Sequence, residues 1–229
     1  MRFLFFLIFT IVFADDQSWD EKLVYSASFS GVSVATATLK SKKIYNLKNQ
    51  DILRIEFKAK SKPSLKYIFP INDKIIIDVD LNTWQPLKIE KKISEGSYKQ
   101  NSISTFDHKN QMFIYKEDSI SYDGEIFNPY SLIYYFRTLD FSSDTSYEIQ
   151  VVDNKKVTPL KFFADEKVKV KTTNGKIYAN KIWPKKMSGE PFKNAGKITM
   201  WISDKDKLPI IINLKMKFGS LDLELEEVN

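Results

Sequence analysis

The chain has 229 residues, of which 43% are hydrophobic and 28% are charged, and its formal net charge is +6. This apolar content can supply a sizeable core, so the composition excludes a globally disordered chain. Cysteine is absent and His108 is the one histidine, which excludes disulfides, thiol nucleophiles, multi-histidine zinc sites and a lipid-bearing cysteine.

The chain begins with the pattern of an export signal. Arg2 precedes an apolar run that ends at Phe13, and Val12 and Ala14 occupy the small-residue positions before a peptidase cut. The run is shorter than the ~20 apolar residues that span a bilayer. A core strand or helix is the alternative. We therefore expect a signal peptide over residues 1–14, cleaved near Ala14, and a periplasmic or otherwise exported domain over residues 15–229 without a transmembrane segment.

The rest of the chain alternates apolar and polar residues with a period of two. Leu53, Ile55 and Phe57 alternate with charged neighbours, and residues 210–218 repeat the pattern. Successive side chains of a strand point to opposite faces, so each segment has one apolar and one solvated face. Turn pairs such as Ser30–Gly31 and Asn174–Gly175 separate neighbouring segments. The pattern predicts a mainly β, single domain with an antiparallel sheet of about eleven strands.

One segment has helical periodicity instead. Asn128 is suited to cap a helix and Pro129 to its first position. Because a short aromatic helix is unstable alone, we expect a helix near residues 129–139, packed inside a strongly curved half-barrel or barrel. The small side chains of residues 33–38 would allow close approach of the helix or a bend. Arg137 lies off the predicted apolar stripe, which is formed by Leu132, Tyr135, Phe136 and Leu139.

Residues 21–39 are the first of three stretches that together resemble a known family. The second is residues 128–137, Asn-Pro-Tyr-Ser-Leu-Ile-Tyr-Tyr-Phe-Arg, and the third runs from Trp201 through Leu208 and Pro209 to Ser220. In this order they resemble the exported bacterial family catalogued as domain of unknown function 3108, whose central stretch usually begins with Asp instead of Asn. The resemblance implies an envelope location and a β-rich fold, similar to the half-barrel of periplasmic lipoprotein carriers, and it brings no catalytic residues. Fold does not fix function.

Candidate catalytic and metal-binding residues are few. His108 lies in a polar turn, where we expect an exposed side chain. Asp78 and Asp80, like Asp204 and Asp206, have the spacing of calcium ligands but lack the nearby glycine and further oxygens of a calcium loop. We therefore expect no catalytic, cofactor-binding or metal-binding residues, with a hydrolase based on carboxylates or a serine as an alternative.

Aromatic clusters are the most suggestive feature for function. Core packing is one interpretation, and the lining of a cavity for an apolar ligand is the other. We also expect an unpaired loop from Lys60 to Asp73 that acts as a lid or a membrane-touching flap. The candidate ligand or lid residues are Leu65, Tyr67, Ile68, Phe69, Tyr134, Tyr135 and Phe136.

The basic residues are spread singly along the predicted strands and form no nucleic-acid motif, so nucleic acid is not an expected partner. We expect a non-enzymatic exported protein that binds a lipid or another amphipathic component of the cell envelope. The alternative is an envelope assembly or structural protein that binds a partner protein through its surface.

Overall fold

The computed structural model describes residues 19–45, 50–68, 70–141, 146–173, 175–187, 197–216 and 219–229. The predicted signal peptide lies outside them. In the described residues the fold is mainly β, with fifteen strands in one sheet and one short helix, α1 (Pro129–Arg137). The strands are β1 (Glu21–Phe29), β2 (Val32–Tyr45), β3 (Asp51–Ser61), β4 (Asn72–Asp80), β5 (Pro86–Glu95), β6 (Tyr98–Asp107), β7 (Met112–Tyr115), β8 (Asp118–Ser121), β9 (Ile126–Phe127), β10 (Ser146–Asp153), β11 (Lys156–Thr172), β12 (Gly175–Lys186), β13 (Lys197–Ser203), β14 (Pro209–Met216) and β15 (Gly219–Val228).

The sheet is a curved, up-and-down arrangement that is not closed within the described residues. Its order runs from β8 back to β1, then from β15 back to β9. The first and last strands therefore pair at the centre of the sheet, while β8 and β9 form its edges. Neighbouring strands pair antiparallel, except β9, which pairs parallel with β10. The count exceeds the expected eleven in part because β7, β8 and β9 have only four, four and two residues.

The predicted alternation matches the two faces of the sheet. Leu53, Ile55 and Phe57 of β3 are buried. Ser30 and Gly31 join β1 to β2 with φ angles of 48° and 82°, as the predicted tight turn requires. The hairpin between β11 and β12 also forms, although Asn174 of its turn lies outside the described residues.

The sheet encloses α1, as the aromatic content of this segment predicts. Asn128 Oδ1 accepts a hydrogen bond from Tyr130 N at 3.0 Å, and Ser131 Oγ accepts one from Asn128 N at 3.1 Å. These two bonds cap the helix N-terminus reciprocally. The helix packs against β3, β4, β10 and β13. Among the described residues, no helix has the length and apolarity that crossing a bilayer requires.

The expectation of a single apolar stripe on α1 is wrong, because the helix is buried on almost every side. Arg137, expected off the stripe, is only 3% exposed. Its guanidinium donates two hydrogen bonds to the Glu21 carboxylate and lies 5.3 Å from the Trp19 ring and 5.2 Å from the Tyr134 ring. A charge inside a protein needs such a partner, since burial removes its hydration.

A bulge bends β2 in the small-residue stretch identified in the sequence. Ala27 of β1 pairs with Ala35, and the next residue, Ser28, pairs with Ser33, so Val34 is an extra residue on β2. Val34 and Ala35 are consequently both buried. A bulge of this kind increases strand twist and bends the sheet, which matches the predicted bend.

We predict that Arg137→Met lowers the free energy of unfolding by about 3–5 kcal/mol, because it leaves the Glu21 carboxylate buried without its partner. Urea denaturation measures this change. Arg54 and Asp78 make a bidentate pair on the solvated face at 2.7 Å, so Arg54→Met is the matched control, with an expected cost of at most about 1 kcal/mol. Equal costs for the two variants would contradict a structural role for the buried pair.

Candidate functional site

At the N-terminal end of α1, two adjoining pockets, lobe 1 and lobe 2, which together are called the cavity, lie on the concave face of the sheet. Lobe 1 has a volume of about 430 Å³ and lobe 2 a volume of about 460 Å³. Each volume falls within the range of about 300–1,000 Å³ that is typical of small-molecule sites. The two lobes share wall residues, namely Phe57, Glu95, Tyr130, Leu214 and Leu223.

Lobe 1 has an apolar interior and a polar rim. Its interior includes Leu39 and Ile75. At the rim, the Lys91 ammonium pairs with the Asp153 carboxylate. Further along the rim, Gln100 Nε2 donates to Asn154 Oδ1 at 2.7 Å. The rim residues come from β5, β6, the end of β10 and the turn after it, so these contacts also join two distant parts of the sheet.

Lobe 2 exists because small side chains line it. Ala27, Ala35 and Ala59 face it from three neighbouring strands. The bulge at Val34 turns an additional residue toward the same space. At its mouth, the lobe is bordered by the loop between β3 and β4 and by the turn between β5 and β6, through Ile68, Pro70 and Gly96.

The loop at this mouth is shorter than the predicted span from Lys60 to Asp73, because both end residues belong to the ladder between β3 and β4. Backbone hydrogen bonds fix its two ends. Lys62 N donates to Val34 O at 2.9 Å, and Gly96 N donates to Pro70 O at 2.8 Å. The loop, residues 62–71, is therefore held at both ends against the strands that border lobe 2.

The candidate lid residues occupy different positions on this loop. Ile68 is 69% exposed and lines lobe 2. Tyr67 is 85% exposed, and the Lys66 ammonium lies 4.8 Å from its ring. Leu65 is partly buried against the core. Phe69 lies outside the described residues.

The candidate residues on α1 lie at its packed end. Tyr134 and Phe136 are fully buried, where the Tyr134 ring lies 5.9 Å from Trp19 and the Phe136 ring lies 5.0 Å from Phe162. Tyr135 is half-buried, 5.0 Å from Phe127. The structure thus groups these three side chains with the core, whereas Tyr130 and Ile133, which precede them in the helix, reach lobe 1.

Two charged residues at the cavity, Asp73 and Lys91, were not among the predicted site residues, although the sequence pattern distinguishes them. Asp73 continues the inward-facing series of Ile75 and Ile77 on β4, and Lys91 stands between Ile89 and Ile93 on β5. A charged residue at one of the inward-facing positions of a strand points toward the core, where it needs a hydrogen-bonding or charged partner. That break in the alternation identifies both residues.

A carboxyl pair lies where the two lobes meet. Asp73 is 7% exposed, and its Oδ1 accepts a hydrogen bond from Ser94 N at 2.8 Å. Burial, together with a hydrogen bond to the Asp73 carboxyl, raises the pKa of Glu95 to about 7. Near neutral pH the Glu95 carboxyl is therefore protonated in part of the molecules.

Tyr130 lines both lobes, as Glu95 does. Burial raises the pKa of Tyr130 well above its ordinary value, and Asp153, Asp73 and Glu95 raise it further. The hydroxyl therefore stays protonated and can donate a hydrogen bond at the junction of the lobes. An apolar space with a few converging polar groups can hold a hydrocarbon chain and orient a polar end.

The single histidine is not the exposed side chain that its sequence context suggests. His108 is half-buried, with Nε2 2.8 Å from Pro86 O and Nδ1 2.6 Å from Tyr122 Oη. A carbonyl oxygen only accepts, so Nε2 donates, and in the neutral ring Nδ1 accepts from the tyrosine hydroxyl. The histidine thus joins the start of β5 to the segment that follows β8. In the described residues, no group of three or more His, Cys, Asp or Glu side chains could hold a metal ion.

We predict that the Glu95 carboxyl group lowers the free energy of unfolding as pH rises. Its folded-state pKa of about 7 exceeds the ordinary 4.5, so its favourable contribution is complete below pH 4.5 and is lost as pH passes through 7. Because the side chain is partly exposed, we expect a loss of about 1 kcal/mol. Urea denaturation from pH 4.5 to 8 should show this loss in the unmodified protein and not in Glu95→Gln.

Glu90→Gln is the matched control. It removes a carboxyl group from the same strand, but one whose pKa is lowered by Lys88 and not raised. This variant should therefore keep the pH dependence that Glu95 contributes. Identical pH profiles for Glu95→Gln and the unmodified protein would contradict the assignment.

Comparison with known proteins places the chain in a family. A protein described as the beta-barrel-like protein of domain of unknown function DUF1849 from Brucella abortus has a similar fold, with a TM-score of 0.58 and 9% identity over 91% of this chain and 96% of that chain. At this identity the likeness concerns the fold alone. No curated protein matches the sequence. The match over residues 24–226 covers most of the chain, which therefore belongs to the family described as protein of unknown function DUF3108.

Proposed function

We propose that this protein is an exported, non-enzymatic binder of an apolar or amphipathic molecule, such as a lipid, whose hydrocarbon chain occupies lobes 1 and 2. The observation that carries the proposal is the apolar wall that both lobes share, formed by Phe57, Leu214 and Leu223. Moving a hydrocarbon chain from water into such a space gains about 0.8 kcal/mol for each methylene. Binding therefore requires no chemistry beyond burial.

The loop of residues 62–71 supports a route into the cavity. It borders the mouth of lobe 2 through Ile68, and it exposes Tyr67 beside the Lys66 ammonium. An exposed aromatic residue with a neighbouring lysine is the combination found where proteins touch lipid interfaces. In this proposal the loop is the lid through which the ligand passes.

Hydrolysis is a second candidate function, and Glu95 beside Asp73 favours it, because a carboxyl group with a pKa of about 7 can act in acid–base catalysis. The surroundings support binding over hydrolysis, because the pair borders a predominantly apolar space.

A role in assembly through a sheet edge has less support. The two edge strands within the described residues, β8 and β9, have four and two residues. Such short edges offer a partner strand few backbone hydrogen bonds.

We predict that Ala35→Met weakens binding of the neutral probe N-phenyl-1-naphthylamine about tenfold. Ala35 lines lobe 2, and a larger side chain there displaces about two methylene equivalents of ligand, worth about 1.6 kcal/mol. Fluorescence titration measures the affinity. Thr36→Met is the matched control, because Thr36 is exposed on the other face of the same strand and should leave affinity within about twofold. Equal affinities for the two variants, or no saturable binding by the unmodified protein, would contradict the proposal.

We also predict that the full chain, expressed in a Gram-negative host, appears in the periplasm with Asp15 as its first residue. Ala14→Lys should retain the uncut precursor, because signal peptidase requires a small residue before the cut. N-terminal sequencing of the fractionated protein checks both outcomes, and Asp16→Asn is the control that should be cut normally. Uncut, unmodified protein in the cytoplasm would refute the export part of the proposal.

A further inference from the structure

The charges that line the cavity are unbalanced. Lobe 1 is lined by Lys91, Asp153 and Glu95, and lobe 2 by Asp73 and Glu95. Lys91 is 8% exposed and its ammonium is already paired with the Asp153 carboxylate. The Asp73 and Glu95 carboxyl groups then have no basic partner among the residues that line the two lobes. An incoming ligand therefore meets a net negative wall.

Residues of three strands and of α1 surround the carboxyl groups of Asp73 and Glu95. Asp73 lies on β4, Glu95 ends β5, and Tyr98 begins β6. From α1, Tyr130 lines both lobes, as Glu95 does. Lys99 of β6 bonds to Ser94 Oγ and is an exposed residue outside the cavity lining. The groups that face the junction are thus carboxyl and phenol oxygens.

From this arrangement we infer the chemical class of the ligand: an amphiphile with a hydrocarbon chain and a neutral or cationic head that donates hydrogen bonds, such as an alcohol or an amine. The chain lies in the two lobes and the head lies against Asp73, Glu95 and Tyr130. A carboxylate or phosphate head would be held near like charges in a partly desolvated site, which is unfavourable. Donors to a carboxylate form charge-assisted hydrogen bonds, which are stronger than neutral ones. This inference rests on the proposed function.

Three ligands with the same twelve-carbon chain test the head group separately from the chain: dodecylamine, 1-dodecanol and dodecanoate. Each displaces N-phenyl-1-naphthylamine from the full-length protein at pH 8, below its micellar concentration. We expect the amine to bind most tightly, the alcohol next and the carboxylate most weakly. The affinities of the amine and the carboxylate should differ about tenfold or more, because one unfavourable charge contact changes an affinity by about that factor. At pH 6, where the carboxyl pair holds an additional proton, the ratio should be smaller.

Variants assign the effect to the carboxyl pair. Asp73→Asn and Glu95→Gln should each reduce the amine-to-carboxylate ratio at least threefold, mainly by strengthening dodecanoate binding. Glu90→Gln makes the same change in charge on β5 at a side chain that pairs with Lys88, and it should leave the ratio unchanged. Retained binding of the neutral probe shows that each variant is folded.

The outcomes separate the inference from the function on which it rests. If none of the three ligands displaces the probe, the proposed function fails. If dodecanoate binds as tightly as dodecylamine, the cavity binds chains but the head-group inference is overturned. An unchanged ratio in both Asp73→Asn and Glu95→Gln likewise overturns the assignment to this pair.

Discussion

The enclosure of α1 by the sheet is the constraint on which the other features depend. Leu132, Ile133, Tyr134 and Phe136 are all buried, and they point in different directions around the helix. No flat surface can cover such a helix, so the sheet must curve around it. The curvature places Arg137 inside as well, and the Glu21 carboxylate of the first strand then compensates its charge. The helix and the first strand are thereby joined by an interaction whose partners are far apart in sequence.

The cavity follows from a mismatch in length. A nine-residue helix is about 13 Å long, whereas a ten-residue strand such as β5 or β15 extends over about 33 Å. The apolar concave face therefore continues beyond the helix, and something other than the helix must cover it. Large side chains could have filled the space, but Ala27, Ala35 and Ala59 stand there. The same sheet thus has a filled end around Phe136 and an empty end around Tyr130.

The sequence predicts the local elements better than their arrangement. The period of two at Leu53, Ile55 and Phe57, and the capping residues before α1, depend on neighbours a few residues away, so the alternation and the helix could be recognised. The burial of Arg137 depends on a strand more than a hundred residues earlier, and no local pattern contains that information. The cavity is harder still, because an alanine that packs tightly and an alanine that leaves space look the same in a sequence. Asp73 and Lys91 could have been identified, since each places a charge in the apolar phase of its strand.

The rim of lobe 1 also lies where the two halves of the sheet approach each other. Asp153, at the end of β10, contacts Lys91 of β5, and Asn154, in the turn that follows, contacts Gln100 of β6. Lys155 of the same turn pairs with Asp118 of β8. Side chains therefore span a gap that backbone hydrogen bonds do not close in the described residues. Side-chain contacts of this kind separate at lower cost than a strand ladder, because water can replace each of them individually. The part of the fold that borders the cavity is thus also the part whose closure depends on polar side chains. Widening lobe 1 would break these side-chain contacts but would leave every strand paired.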